Sequence, residues 1–342
     1  MRFSVAARAA ACAVVLLATR GHGFVATPVT FDVTIQNGSL VPCLGAGSGP
    51  ATIAGTLVTP DSGPSNAVTF YLHGLGFGQW FWHFAAPGIT DLDYAGRLAD
   101  LGHSSLIIDR LGYGASSMPD GNASCVGVQA DIAHQIVGQL GRQFSKVALA
   151  GHSAGGAVAE VEAYSYHDVD ALIVASYADQ GASPDTLAAF LQGGGECLTS
   201  PRHYGHFGQT AADFAHLMFN NPRPIIGKLP LVDSDPTAYQ NVITDATQMR
   251  EPDPCGDYNS IALEIVLSQL LLSQVRAPVL LVCGDKDAVF PPPACDLQAL
   301  HFAANPDFTH TTIAGGGHAI TLGFTAAAFR DGLSSWLTDH GF

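Results

Sequence analysis

The chain has 342 residues, of which 47% are hydrophobic and 13% are charged, and its formal net charge at pH 7 is −15. This composition favours a well-buried core over a disordered chain, and the length allows one large α/β domain or two small ones. With only three lysines and a large acidic excess, the chain is a poor candidate for nucleic-acid binding. We expect small neutral molecules as its partners.

Residues 1–23 predict a secretory signal peptide. Arg2 and Arg8 supply a positive start, and residues 9–18 form an apolar run with small residues after it. The run is shorter than the ~20 residues that a spanning helix needs, and no later stretch approaches that length. We therefore expect a secreted protein, extracellular or periplasmic, without stable membrane insertion. An ordinary N-terminal helix is the alternative.

Seven cysteines are present, and six remain if Cys12 leaves with the signal peptide. An even number in an exported chain is compatible with disulfides. Cys197 and Cys255 flank one segment and could close it. Cys43 and Cys125 could tie the N-terminal strands to a loop near the functional site. The sequence alone does not fix this connectivity.

Two further features of an exported chain stay open. Cys283 lies inside a predicted strand, so a free buried thiol is an alternative that would leave Cys295 unpaired. Asn37 and Asn122 begin glycosylation sequons, which matter only in a eukaryotic host.

Short apolar segments alternate with helical segments along most of the chain. Strands are predicted at residues 31–37, 51–59, 67–72, 105–108, 146–150, 171–176, 278–282 and 308–313, the first two as an antiparallel pair. Helices are predicted at residues 93–101, 127–144, 156–166, 258–274 and 324–340. This alternation implies an α/β fold with a mostly parallel sheet that helices cover on both faces.

The alternation breaks once, at residues 181–275. This stretch contains a run of three glycines, several prolines and one predicted helix. An insertion between two strands at the carboxyl edge of the sheet would lie over that edge as a cap or lid. We therefore divide the mature chain into a core of residues 24–180 and 276–342 and a cap of residues 181–275.

The sequence Gly-His-Ser-Ala-Gly at residues 151–155 lies between a predicted strand and a predicted helix. A sharp strand-to-helix turn holds its central residue in a strained conformation, and the flanking glycines avoid a collision that any Cβ would cause. Ser153 is thereby exposed at the carboxyl edge of the sheet, where a nucleophile is expected.

A serine nucleophile needs a base and a carboxylate that orients the base. His318 follows the last predicted strand in a glycine-rich loop and is the candidate base. Asp287, in the loop after the preceding strand, is the favoured acid. Asp285 is its competitor, and Asp179 is a more distant third.

An oxyanion needs two backbone N–H donors. Ala154, directly after the serine, would supply one, and Leu75 in the His-Gly-Leu-Gly loop at residues 73–76 would supply the other. An aromatic run follows that loop. Its residues either pack as ordinary core or line an apolar substrate pocket. The candidate pocket residues are Phe77, Trp80, Phe81, Trp82 and His152.

Together these motifs resemble the α/β-hydrolases, in the family's order of nucleophile, acid and histidine. Residues 73–74 resemble the family's His-Gly oxyanion loop, residues 109–114 its Asp-x-x-Gly-x-Gly loop, and residues 284–287 its acid loop. The resemblance implies an eight-stranded sheet, a cap and cofactor-free hydrolysis. The oxyanion loop is not of the His-Gly-Gly-Gly type, and a serine at the elbow argues against haloalkane dehalogenases and epoxide hydrolases.

Other kinds of site find little support in the sequence. His203, His206 and His216 lack a recognised metal-ligand spacing, so no metal site is predicted. No phosphate-binding or dinucleotide-binding motif is present, so no cofactor is expected.

We therefore expect a serine hydrolase that cleaves a small-to-medium apolar carboxylic ester. The same triad also fits a lactonase, an amidase or a perhydrolase. A non-catalytic ligand-binding protein on the same fold is the alternative from another class, because a fold alone does not establish function. The oligomeric state stays open.

Overall fold

The structure is a computed structural model that describes residues 19–21, 23–43, 45, 47–85, 91–208, 210–219 and 236–342. Most of the predicted signal peptide lies outside these residues. The strands are β1 (Thr19–Gly21), β2 (Phe24–Ile35), β3 (Gly49–Pro60), β4 (Ala67–Leu72), β5 (Ser104–Ile108), β6 (Lys146–His152), β7 (Ala171–Ala175), β8 (Tyr204–Gly205), β9 (Asp253–Pro254), β10 (Val279–Gly284) and β11 (Phe308–Ile313).

Nine α-helices lie within the described ranges. They are α1 (Tyr94–Asp100), α2 (Val126–Leu140), α3 (Ala154–Tyr166), α4 (Pro184–Cys197), α5 (Ala211–Phe219), α6 (Pro236–Gln248), α7 (Cys255–Leu271), α8 (Ala294–His301) and α9 (Ala326–Asp339). Short 3-10 helices cover Gln79–Trp82, Gly121–Ala123 and Leu272–Gln274. Across the described part of the chain, no helix combines the length and the apolar character that crossing a bilayer requires.

The main sheet has the strand order β1-β2-β3-β5-β4-β6-β7-β10-β11. From β5 to β11 every neighbouring pair is parallel, whereas β1, β2, β3 and β5 are joined by antiparallel pairs. The expected eight-stranded, mostly parallel sheet is therefore confirmed. The three-residue β1 adds a ninth strand at one edge.

The burial of each strand reflects its place in the sheet. Every residue of β4, β5, β7 and β10 is buried, as expected where helices cover both faces of parallel strands. The end of β2 instead alternates between buried and exposed residues, because one face of this outer strand meets solvent. On β2 the β2–β3 ladder runs from Phe24 to Ile35, so this strand begins seven residues before the predicted strand does and ends two residues before it does.

The register of the sheet brings four functional segments to one edge. Leu72 of β4 pairs with Gly151 of β6, so the loop after β4 lies beside the elbow. Gly284 of β10 pairs with Ile313 of β11, so the loops that carry the candidate acid and base also lie side by side. The carboxyl ends of the parallel strands thus form a common platform.

Three disulfides lie in the described structure. Cys43 joins Cys125, and Cys197 joins Cys255, with Cα–Cα distances of 6.1 and 5.7 Å. The second bridge ties α4 to the first residue of α7. The third bridge is a disulfide between Cys283 and Cys295, with a Cα–Cα distance of 6.4 Å. The alternative of a free thiol is therefore wrong, because α8 carries its cysteine back over the end of β10.

The segment between β7 and β10 holds α4 to α7 and the small β8–β9 pair. Residues 209 and 220–235 of this segment lie outside the described ranges. Its predicted helix at residues 258–274 begins three residues earlier, at Cys255, and ends as α7 at Leu271, where a 3-10 helix follows.

Candidate active site

Ser153 occupies the turn between β6 and α3 with φ 52° and ψ −127°, a strained backbone conformation for a residue with a side chain. A Cβ on Gly151 would collide with the backbone of Gly155, and a Cβ on Gly155 would lie 2.5 Å from the Leu72 carbonyl oxygen. The Ser153 amide donates to the Ala175 carbonyl at 2.9 Å. The predicted elbow geometry is therefore present.

The candidate base and acid form a buried pair. His318 Nδ1 lies 3.0 and 2.9 Å from the two carboxylate oxygens of Asp287, and both side chains are 0% exposed. Asp287 Oδ1 also accepts hydrogen bonds from the amides of Val289 and Phe290, which fix the carboxylate. Nδ1 therefore donates its proton to Asp287, and Nε2 keeps its lone pair. Nε2 is buried and has no hydrogen-bond partner among the described residues, Ser153 included.

The two other candidate acids lie elsewhere. Asp285 is partly exposed, and its Oδ1 accepts from the Gly315 amide at 2.7 Å, so it fixes the glycine-rich loop. Asp179 is hydrogen-bonded through its amide to Gln298, on α8. Of the three carboxylates, only Asp287 contacts the candidate histidine.

His152 connects the elbow to the loop that carries His318. Its Nε2 donates to the His318 carbonyl oxygen at 2.8 Å, and its ring stacks on Phe81 with a centroid distance of 4.3 Å. Burial, followed by the nearby His318 ring, holds the pKa of His152 well below its usual value. The side chain is therefore a neutral donor at neutral pH.

The aromatic residues after β4 are mostly buried. Phe77, Phe81 and Trp82 have almost no exposed surface, whereas Trp80 is partly exposed. Phe77 packs 5.3 Å from the Phe214 ring of α5, which belongs to the insertion. Trp82 instead packs into the core, 4.8 Å from the Tyr71 ring. Lining of a substrate pocket by these residues stays a prediction.

The loop after β4 passes directly over the serine. A Cβ on Gly74 would lie only 2.8 Å from the Ser153 Cβ. The amide of Gly76 donates to Asp253 Oδ1 at 2.6 Å, so a carboxylate of the insertion holds the loop in place. Leu75, the predicted oxyanion donor, lies between these two anchored glycines and is buried.

A buried arginine, which the sequence reading did not single out, links this loop to the insertion. Arg110 donates through Nε to the His73 carbonyl at 2.9 Å and through Nη1 to Asp257 at 3.0 Å. Its Nη2 donates to the Tyr113 hydroxyl at 3.0 Å, and that hydroxyl lies 3.1 Å from Asp253 Oδ1. We call Arg110, Tyr113, Asp253 and Asp257 the arginine network. Its only sequence signal is the Asp-x-x-Gly-x-Gly motif, which contains Arg110 and Tyr113.

The three histidines considered as metal ligands do not converge. His203, His206 and His216 each contact a different carboxylate, at 2.7, 2.9 and 3.3 Å. Their partners are Asp120, Glu196 and Asp185, in that order. Within the described ranges, none of the three belongs to a group of side chains that could share one ion.

Comparisons with known proteins identify the family and the fold of the chain. The model of the alpha/beta hydrolase family matches residues 70–330. An esterase from Thermogutta terrifontis is similar in structure, with a TM-score of 0.65 and 20% identity over 91% of this chain and 100% of that chain. A monoacylglycerol lipase from Paleococcus ferrophilus is similar with a TM-score of 0.57 and 20% identity over 81% of this chain and 96% of that chain.

A third similar structure, an esterase from Exiguobacterium antarcticum, has a TM-score of 0.57 and 15% identity over 92% of this chain and 96% of that chain. The chain has no significant sequence match among curated proteins. The family match covers most of the chain and includes the elbow, the acid loop and the terminal histidine. The chain belongs to the α/β-hydrolase family.

Proposed function

We propose that the protein is a serine hydrolase that cleaves carboxylic esters through Ser153, His318 and Asp287. The observation that carries the proposal is the buried His318–Asp287 pair, in which His318 Nε2 has no hydrogen-bond partner among the described residues. The His318 ring lies 4.9 Å from the ring of His152, the residue that precedes the strained Ser153. Structural neighbours described as esterases and as a monoacylglycerol lipase support an ester as the substrate.

In the proposed reaction, Ser153 Oγ attacks the ester carbonyl while His318 Nε2 takes the hydroxyl proton. The same nitrogen then gives that proton to the departing alkoxide, which leaves as the alcohol, while the acyl group stays bonded to Ser153 Oγ as the acyl-enzyme. A water molecule, deprotonated by His318, attacks the acyl carbon and releases the acid and the free serine. Asp287 orients the ring and stabilises its charged form.

The backbone amides of Leu75 and Ala154 are proposed to bind the oxyanion. Ala154 is the first residue of α3, and the free amides and dipole of a helix N-terminus favour negative charge. Leu75 lies in the loop that crosses the serine at Gly74 and is anchored at Gly76. Both donors therefore belong to rigidly held backbone.

For the substrate, we propose an ester of small to medium size with an apolar acyl group. Support comes from the rings of Phe77 and Phe81, which contact His152 of the elbow, and from Trp80, which packs against Phe77. The insertion of residues 181–275 is proposed as the cap, because its Asp253 and Phe214 contact the loop over the serine.

Export is part of the proposal, with residues 1–23 as the signal peptide. The three disulfides support it, because such bridges persist in oxidising compartments. N-terminal sequencing of protein secreted by an expressing host tests it. A mature protein that keeps residues 1–23 would contradict it.

A fluorophosphonate probe tests the nucleophile. We expect the wild-type protein and a Ser335→Ala control, altered on the partly exposed helix α9, to be labelled. We expect Ser153→Ala to fold and to lose both labelling and turnover. Rates on p-nitrophenyl esters from acetate to octanoate, followed by a lactone and an amide, then define the substrate class. A folded wild-type protein that resists labelling would overturn the proposal and favour a ligand-binding protein.

A further inference from the structure

A second cluster of chemically active side chains lies at the far end of α3 from the elbow. The cluster consists of His134 of α2, Glu162 of α3 and Asp168, which lies two residues after α3 ends. Each offers one nitrogen or oxygen atom, and these three atoms all lie within 4.8 Å of one another. At about 1.5 Å of rise per residue, Glu162 is about 12 Å along α3 from its first residue. The cluster is therefore separate from the candidate active site.

Glu162 is the unusual member of the cluster. Its side chain is 0% exposed, and neither carboxylate oxygen accepts a hydrogen bond from an N–H or hydroxyl donor among the described residues. Burial raises the pKa of Glu162 well above its usual value, and the adjacent Asp168 carboxylate raises it further. A buried carboxylate without donors is costly unless a proton or a cation neutralises it.

The other two members leave one side of the cluster open. His134 Nδ1 lies 2.7 Å from Asp168 Oδ2, and their side chains are 38% and 33% exposed. The imidazole stacks on the ring of Tyr166, with a centroid distance of 3.9 Å and an interplanar angle of 8°. The Tyr166 hydroxyl donates to Asp131 at 2.8 Å, which holds the stack in place. A preoriented imidazole at the surface gives an ion a route to the buried carboxylate.

We propose that His134, Glu162 and Asp168 bind a divalent transition-metal ion of the Zn²⁺ class. One imidazole and two carboxylates are ligands that such ions accept, whereas Ca²⁺ and Mg²⁺ prefer oxygen alone. Tetrahedral ligands about 2 Å from a zinc ion lie about 3.3 Å from one another. The three ligand atoms lie within 4.8 Å of one another, so small movements of their side chains reach that spacing. The open side of the cluster leaves the fourth coordination position of the ion to a water molecule.

The proposed ion has a structural consequence. It would tie α2 to α3 and to the loop that leads into β7, and it would neutralise the one carboxylate here that hydrogen bonds leave unsatisfied. Because only the folded chain assembles these ligands, binding stabilises the fold. The proposed metal site does not involve Ser153, so it is tested independently of the proposed hydrolase activity.

The full chain without an affinity tag, treated with a chelator and then dialysed, tests the proposal. Co²⁺ is added and followed by its visible absorption, and Zn²⁺ is titrated calorimetrically. We expect one equivalent of each metal to bind the wild type, and Zn²⁺ to raise its melting temperature. His134→Asn and Glu162→Gln should each abolish binding. Because His134 is partly exposed, its replacement keeps the fold and decides the test if Glu162→Gln does not fold.

The chain offers a matched control in His203, whose Nδ1 lies 2.7 Å from an Asp120 oxygen and which belongs to no group of described side chains that could share one ion. His203→Asn should bind the metal as the wild type does, and so should Ser153→Ala. No binding by the wild type would overturn the proposal. Binding that survives in folded His134→Asn, or that is lost equally in His203→Asn, would also overturn it, because surface histidines would then explain the metal.

Discussion

Helix α7 meets the core in two buried polar clusters that differ in charge. At its first turn, Asp257 contacts the guanidinium of Arg110 within the arginine network. Two turns further on, Glu264 lies beside Glu160 and Asp179 and has no arginine or lysine among its described hydrogen-bond partners. We call these three residues the carboxylate cluster. The same helix thus packs on the core through an ion pair at its first turn and among carboxylates near its middle.

Neutral donors satisfy only part of the carboxylate cluster. Tyr177 and Ser268 donate to Glu264 at 2.7 Å each, and Gln298 donates to Glu160 at 2.9 Å. Glu160 Oε2 and Asp179 Oδ1 are buried without a partner in the described part of the chain. Three ionised carboxylates could not share such a site, so the cluster must retain protons or bind a cation.

The two clusters therefore differ in their expected response to pH. Burial raises the pKa of Asp179 to about 7 and holds those of Glu160 and Glu264 well above their usual values. Burial also raises the pKa of Asp257, but the charge of Arg110 opposes the effect. An arginine stays charged throughout the physiological range, so the ion pair is the permanent anchor and the carboxylate cluster is the pH-sensitive one.

The largest expected effect follows from removing the cation. Arg110→Met leaves Asp257 buried without its ion-pair partner, which should lower the free energy of unfolding by about 3–5 kcal/mol. Urea denaturation at pH 7 measures the loss. Arg97→Met, which removes a surface ion pair with Asp100, is the control and should cost about 0–1 kcal/mol. Similar losses in the two variants would contradict the special role of Arg110.

The next effect concerns Asp179 and its pH dependence. A carboxyl group whose pKa is raised in the folded state stabilises the fold below its unfolded pKa of about 3.8, and this contribution is lost as pH rises through about 7. Asp179→Asn should therefore raise the free energy of unfolding at pH 8 by about 2–3 kcal/mol. This is less than the value obtained by converting the whole pKa shift at about 1.4 kcal/mol per pKa unit.

The gain in Asp179→Asn should shrink as pH falls toward 5, where the wild-type carboxyl group is protonated in the folded protein. Urea denaturation of both proteins across this range measures the difference. A gain of equal size at pH 5 and pH 8 would show that packing, rather than ionisation, causes the difference in stability between the two proteins.

A smaller effect tests the ion pair itself. Adding Asp257→Asn to Arg110→Met removes the carboxylate that the first change leaves buried, so about 2 kcal/mol of stability should return. A double-mutant cycle by urea denaturation gives the coupling between the two residues. Additive losses would mean that Arg110 stabilises the fold through the His73 carbonyl and the Tyr113 hydroxyl rather than through Asp257.

Most of the sheet could be predicted because its signals are local. Apolar runs bounded by turns identify the buried strands, and parallel strands bring their carboxyl ends together, so loops distant in sequence were expected to meet. The contact between Asp287 and His318 follows from that rule. The preference for Asp287 over Asp285 as the acid stays a prediction; in the structure Asp287 contacts His318, whereas Asp285 Oδ1 accepts from the Gly315 amide.

The sequence could not indicate contacts that depend on how the insertion packs. Arg110 and Asp257 are 147 residues apart, and no sequence motif links the two. His134, Glu162 and Asp168 likewise match no metal-ligand spacing, since they come from two helices and a loop. The Cys283–Cys295 bridge was missed because α8 had not been predicted, so nothing placed its cysteine near β10.

The smallest expected effects compare one hydroxyl in each cluster. Tyr113 donates to a carboxylate beside a cation, whereas Tyr177 donates to Glu264 among groups that retain protons. Hydrogen bonds to charged groups are the stronger, so Tyr113→Phe should cost about 1–2 kcal/mol and Tyr177→Phe about 0.5–1 kcal/mol in urea denaturation at pH 7. A larger cost at Tyr177 would mean that Glu264 is ionised there. The carboxylate cluster would then need a cation of its own.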